Sequence, residues 1–297
     1  MAGVTREVRL THPDKVLFPA DGLTKADVAE HYERVADAML AHVRDRPLNL
    51  WRWNDGIDGP RVVQQDMPRG APPWLARVST PRRRGGSVCH PVANEPAALR
   101  WLANQNCITP HVWTARRDRL DRPDRMVFDL DPSGPDSFGE VRAAALALGE
   151  RLRALGLEPF AMTTGSRGVH VVAPLRRRWP SDAVREAAGT IGAALAAAHP
   201  DALTTEWRKE QRGGRILVDT ARNTYAQTVV APYALRALAG APVATPLAWE
   251  ELEDPELHPR RWTLRTIGAR LAERGDPWAG IAAAGRSLSR ERIAEVA

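Results

Sequence analysis

The sequence predicts an α+β fold, and three observations carry that prediction. Short apolar runs, Met126 to Phe128, Pro159 to Thr163, Val169 to Ala173 and Ile216 to Val218, have the composition of strands. The tight turn Gly165-Ser166-Arg167-Gly168 joins two of them as a hairpin. Segments of helical period separate the others, at 141–155 and 181–198. Hairpins mixed with intervening helices argue against a doubly wound parallel sheet.

Taken in order, residues 8–20 hold two prolines and short apolar pieces, which predict a turn beside a short strand. Thr24 with Asp27 makes a capping-box pattern, with Asp in place of the usual Glu. Val28, Tyr32, Val35, Met39 and Val43 then recur on one helical face until Pro47. Residues 48–75 alternate strands with turns such as Asn54-Asp55-Gly56. A basic hairpin over 79–92 turns at Arg82-Arg83-Arg84-Gly85-Gly86, and a helix over 95–106 carries Leu99, Trp101 and Leu102.

A strand begins near Pro110, a charged loop covers Asp118 to Asp124, and the acidic strand follows. Ser137 and Glu140 form a second capping-box pattern, ahead of a helix closed by Gly156. Ser181 is expected to cap the helix through Ala198. Leu203 to Trp207 and Ile216 to Asp219 read as strands around a basic loop. Beyond Tyr233 the chain is richer in Ala and Pro, with a helix expected over 262–274 and a short terminal helix or tail over 285–297.

The composition, 43% hydrophobic and 26% charged, is that of a globular protein with a real core. Forty-two Lys and Arg against 36 Asp and Glu give a net charge of +6, which suits a polyanionic partner or simply an arginine-rich soluble enzyme. Two cysteines and no signal peptide or long apolar span predict a cytoplasmic protein without a membrane partner. Cys89-His90 and Cys107 with His111 fit no compact zinc pattern. Ten tryptophans read mostly as core, although an exposed one could stack on a base.

The chemistry centres on Met126-Val127-Phe128-Asp129-Leu130-Asp131-Pro132. On a strand, period two puts Asp129 and Asp131 on one face, and Pro132 ends the pairing beside them. Adjacent carboxylates repel, and a divalent cation relieves the repulsion. Asp219 repeats the pattern of apolar strand then Asp. Between them, the Gly165–Gly168 turn could form an anion nest, with Thr164, Ser166 and Arg167 as further donors, or be an ordinary hairpin turn. His170 could face a ligand or the core. Lys209, Arg212 and Arg215 could clamp phosphates or lie in a solvated loop.

Together, Val127-Phe128-Asp129-Leu130-Asp131-Pro132, Gly165-Ser166-Arg167-Gly168-Val169-His170, Leu217-Val218-Asp219 with Arg222-Asn223, and Ala231-Pro232-Tyr233-Ala234-Leu235-Arg236 resemble the polymerase domain of bacterial ligase D. That domain belongs to the archaeo-eukaryotic primase superfamily. The resemblance runs from about 10 to 251 within one expected domain, with 252–297 as a C-terminal helical extension. It implies a primase-like catalytic core of mixed and antiparallel sheets flanked by helices. The implied activity is that of a DNA repair polymerase adding ribonucleotides or deoxynucleotides to primer ends at gaps or double-strand breaks, with Mn2+ or Mg2+.

By motif position, Asp129, Asp131 and Asp219 would hold a two-metal site. Thr164, Ser166, Arg167 and His170 would contact the nucleotide, with His111, Lys209, Arg212 and Arg236 near its triphosphate. His12-Pro13-Asp14-Lys15, matching an Asn-Pro-Asp-Lys motif, would join Lys25 in a pocket for a DNA 5′-phosphate. Thr164 replaces a Ser, Val62-Val63 stands where some relatives place template-stacking aromatics, and Gln227 stands where some carry a basic residue. No ligase or nuclease module follows before Ala297, so a stand-alone, nucleoid-associated polymerase is expected. Its implied partners are broken or gapped DNA, a Ku-like end-binding protein and a separate ligase for end joining. The competing readings are a metal-dependent nuclease and a non-catalytic DNA-end-binding module.

Overall fold

The computed structural model describes residues 6–82, 85–134 and 137–295. Among them the strands are β1 (Val16–Phe18), β2 (Leu23–Thr24), β3 (Leu48–Trp53), β4 (Arg61–Gln64), β5 (Arg77–Pro81), β6 (Ser87–Pro91) and β7 (Cys107–Trp113). They continue with β8 (Arg125–Asp131), β9 (Phe160–Thr163), β10 (Val169–Pro174), β11 (Leu203–Thr204), β12 (Ile216–Asp219), β13 (Thr228–Val230) and β14 (Thr245–Leu247). The helices are α1 (Lys25–Arg34), α2 (Ala36–Val43), α3 (Pro96–Asn104), α4 (Phe138–Ala154), α5 (Ser181–Ala198), α6 (Ile267–Arg274) and α7 (Arg290–Ala294). No helix among the described residues is long and apolar enough to cross a membrane. This is the mixed α+β composition expected.

The chain divides into two compact units, each assembled from separate segments. The first comprises Met1–Trp113, Val230–Ala244 and Trp262–Gly275. Its sheet includes β7, β3 and β4 in that order. Both capping-box bonds at Thr24 form, and the apolar stripe is fully buried at Val28, Tyr32, Val35, Met39 and Val43. The expected single helix breaks at Val35, whose ψ of 5° leaves the helical range. The Tyr32 hydroxyl donates to the Ile108 carbonyl and ties α1 to β7. The basic hairpin is β5–β6, whose expected turn residues Arg83 and Arg84 lie outside the described residues.

The second unit comprises Thr114–Val229, Thr245–Arg261 and Asp276–Ala297. Its sheet has the order β11-β12-β8-β10-β9-β14, antiparallel except where β11 runs parallel to β12. Helix α4 lies against β10 and β8, and α5 against β8, β11 and β12. Gly192 of α5 sits on Val218, which pairs with Leu130, so this register turns Leu130 and Val218 toward the helix. Period two then puts Asp129, Asp131 and Asp219 on the opposite face.

Local expectations failed where a side chain found another partner. Ser137 precedes α4, but its hydroxyl donates to Gly134 O and caps nothing. Ser181 is the first residue of α5, after Pro180, and its hydroxyl donates to Asp121 O. The strand expected over 203–207 stops at Thr204, whose hydroxyl accepts from Glu206 N. The helix expected over 262–274 starts only at Ile267. Strands β13 and β14 were not foreseen: each is three residues long, too short for a periodic signal.

Candidate active site

The sheet register builds a row of functional groups across three strands. Asp129, on central β8, pairs directly with His170 on β10 and with Asp219 on β12. Directly opposed residues point to the same face with adjacent Cβ atoms. His170 Nε2 lies 3.4 Å from Asp129 Oδ1. Asp131 follows two residues along the same face. Burial first, then the Asp129 charge, push the Asp131 carboxyl up to about 6, against the pull of Arg167 and His170. Burial likewise raises Asp219, although the Ala221 N–H and Arg222 favour its anion. Carboxylates forced together at this cost in charge repulsion call for a cation.

The five residues from Asp219 to Asn223 fold into a locked turn. Asp219 Oδ1 accepts from Ala221 N at 2.8 Å. Asn223 reaches back to β8, accepting from Val127 N and donating to Val127 O at 2.8 and 2.7 Å. This clamp places Arg222 over the carboxylates, with Nε 3.5 Å from Asp219 Oδ2 and 3.8 Å from Asp129 Oδ2. Asp219 Oδ2 is buried and has no hydrogen-bond partner among the described residues. Three carboxylates with a buried, unsatisfied oxygen are the hard donor set that Mg2+ or Mn2+ takes. The residues therefore fit such an ion in kind. Among the described residues, however, no three acidic, His or Cys side chains already converge as a closed cation cage.

The glycine turn lies at the end of this row. A Cβ on Gly168 would sit 2.2 Å from the Leu130 carbonyl oxygen, so only glycine lets β10 approach β8 here. The Thr164 hydroxyl donates to Gly168 O and accepts from Gly168 N. That N–H is thus used inside the turn, which narrows the expected anion nest to the residues before it. Ser166 is half-buried and Arg167 exposed. Ser166 O accepts from Arg260 Nε at 2.9 Å. Lys209 is exposed on a short 3-10 turn, whereas Arg212 donates to Glu206 O and Trp207 O and braces its own loop. Trp207, in that loop, is 61% exposed.

The remaining predicted residues lie in the first unit. His111 stacks on Trp51 with ring centroids 3.7 Å apart, and the Arg61 guanidinium lies 4.1 Å from the same indole. Arg236 is half-buried, its N–H bonded to Pro242 O. Val62 and Val63 stand exposed on β4. His12, Asp14 and Lys15 line a hollow of about 450 Å3. His12 has φ 49°, a left-handed conformation that Asn and His tolerate better than most residues, which accounts for His in an Asn position. Lys25 is buried beneath this loop, donating to Thr11 O at 2.8 Å and Asn104 O at 3.3 Å. Burial, then Lys15 and Arg52, hold its pKa below the ordinary value.

The family model "LigD, primase-polymerase domain" matches residues 24–278. The chain belongs to this family. The primase-polymerase match reaches past residue 251, into the stretch expected as an extension. Multifunctional non-homologous end joining DNA repair protein LigD of Mycobacterium tuberculosis is 34% identical over 279 residues, 91% of this chain and 36% of the relative. LigD of Pseudomonas aeruginosa is 33% identical, over 96% of this chain and 34% of its own length. The bifunctional LigD of Bacillus subtilis is 27% identical, over 93% and 46%. The chain thus spans about a third of the first two relatives' length. A solved structure, the polymerase domain from Mycobacterium tuberculosis ligase D in complex with DNA, superposes with a TM-score of 0.86 at 33% identity, covering 93% of this chain and 98% of that one.

Within this primase-polymerase fold, three residues had received no role from sequence. Arg222 and Asn223 carried part of the resemblance, but only the register shows Asn223 clamping β8 and Arg222 facing two carboxylates. Arg260 is 94 residues from Ser166, and no local signal could have joined them.

Proposed function

We propose that this LigD-family chain is a metal-dependent DNA repair nucleotidyltransferase that extends primer 3′ ends with ribonucleotides or deoxynucleotides at gaps and double-strand breaks. The observation that carries the reading is the row His170–Asp129–Asp219, with Asp131 on the same face and a buried Asp219 oxygen without a hydrogen-bond partner. Asp129, Asp131 and Asp219 would hold Mn2+ or Mg2+. When bound there, a divalent ion would offset charge at the α-phosphate and would make the primer hydroxyl more acidic. The primer 3′-hydroxyl gives up its proton to solvent as its oxygen bonds to the α-phosphorus, the α–β phosphoanhydride bond breaks, and pyrophosphate leaves. His170 orients Asp129 from one side. Thr164, Ser166 and Arg167, with Lys209 and Arg212, would receive the nucleotide and its phosphates.

For the DNA, His12 and Lys15 offer the hollow that would take a 5′-phosphate, with the Lys25 charge behind them. Two cations held close enough to depress Lys25 favour an anion at that place. The relatives are named for non-homologous end joining, and in that setting a Ku-like end-binding protein and a separate ligase are the partners proposed for this chain. The test is a single-gapped duplex, with or without a 5′-phosphate, incubated with Mn2+ and either ribonucleotides or deoxynucleotides. Extension by a few residues, stronger on the phosphorylated gap, is expected. Shortened primers would instead mark a nuclease, and equal binding to both gaps would remove the 5′-phosphate pocket.

A further inference from the structure

The turn from Asp219 to Asn223 is fixed at both ends, by Asp219 Oδ1 on Ala221 N and by Asn223 on the Val127 peptide. The Arg222 guanidinium lies within 4 Å of both Asp129 and Asp219, with Nε at 3.8 and 3.5 Å. It is 35% exposed, against 12% for Asp129 and 2% for Asp219. Asp219 and Asp129 are directly opposed on neighbouring strands, where like charges destabilise a sheet. A positive group about one-third exposed, beside two buried anions, neutralises them without closing the site.

We propose that Arg222 is the resident counter-cation of the Asp129–Asp219 pair and that a divalent ion enters by exchange against it. With the ion absent, the guanidinium keeps the paired carboxylates from destabilising β8 and β12. With the ion present, its charge opposes binding until it swings outward, so metal affinity is held down by the arginine that protects the empty site. This rests on the metal assignment above, but concerns affinity and stability, not turnover.

The test uses the full chain and Mn2+ alone, following loss of the free-ion paramagnetic resonance signal. Arg222→Gln should bind Mn2+ about ten-fold more tightly than the unaltered protein, since a unit charge at this range is strongly felt in a partly buried site. Arg222→Lys keeps the charge and should stay close to the unaltered affinity. In EDTA, Arg222→Gln should melt lower than the unaltered protein, and Mn2+ should raise its midpoint by the larger amount. Should Arg222→Gln fail to fold, Mg2+ titration of the unaltered protein serves, with the Arg222 Nε–H resonance assigned by its loss in Arg222→Lys. That resonance should move as the ion binds. Equal Mn2+ affinity in the Gln variant, or an unmoved resonance in a protein that binds the ion, overturns the exchange alone. Binding by neither protein overturns the metal assignment and the exchange together.

Discussion

At the scale of single residues, the site depends on groups that hold other groups in place. Asn223 is 1% exposed and satisfies both polar atoms of the Val127 peptide, two residues before Asp129. Asn223→Ala would leave that buried N–H and C=O unpaired, and should cost about 3 kcal/mol. Urea unfolding measures the loss, and an unchanged midpoint would show that the clamp carries no stability. Asn223→Asp keeps the acceptor but not the donor, so it should recover only part of the difference. The same reasoning separates Lys25 from Lys15: the buried amine supports the loop through main-chain carbonyls, while the half-exposed one faces the hollow.

At the scale of elements, the close pairing of β8 and β10 rests on one glycine. Gly168→Ala would drive a methyl group into the Leu130 carbonyl, a main-chain atom that cannot turn aside. It should destabilise the protein by at least about 2 kcal/mol and displace His170 from Asp129. A thermal midpoint within a degree or so of the parent would refute that reading. These elements were also the most legible in the sequence. Asp129 and Asp131 on one face, the glycine turn and the Asp219 strand follow from period two and from apolar runs long enough to read.

What was not legible is instructive in the same terms. That Asp219 and His170 flank Asp129 in one row depends on strand order, which joins residues 129, 170 and 219 across long stretches of chain. The caps at Ser137 and Ser181 were misread because each hydroxyl found a carbonyl instead, one three residues away and one on a distant loop. The same pattern at Thr24 did form its box, because Asp27 reaches back to both the Thr24 N–H and its hydroxyl.

At the scale of the whole molecule, stability should depend on pH through His31. This imidazole is fully buried in the first unit, its Nε2–H donating to Tyr233 O at 3.0 Å, and burial lowers its pKa to about 4. Between about 6.5 and 4 the unfolded chain therefore binds a proton that the folded chain does not. Stability should be highest above the unfolded value, fall as pH drops through this window, and level off below it, a loss of roughly 3 kcal/mol. Thermal melts of the unaltered protein and His31→Gln across that range should show the smaller slope in the variant; parallel curves would assign the loss to other groups.

The measurement that bears most directly on the account is single-nucleotide addition to a gapped duplex in Mn2+, made beside DNA binding, for the unaltered protein and Asp129→Ala. The carboxylate row predicts that the variant binds the duplex nearly as well but extends it at least about 10³-fold more slowly. Extension by Asp129→Ala at the unaltered rate would contradict the role given to the row, and tight binding without extension by either protein would leave a DNA-end-binding module in its place.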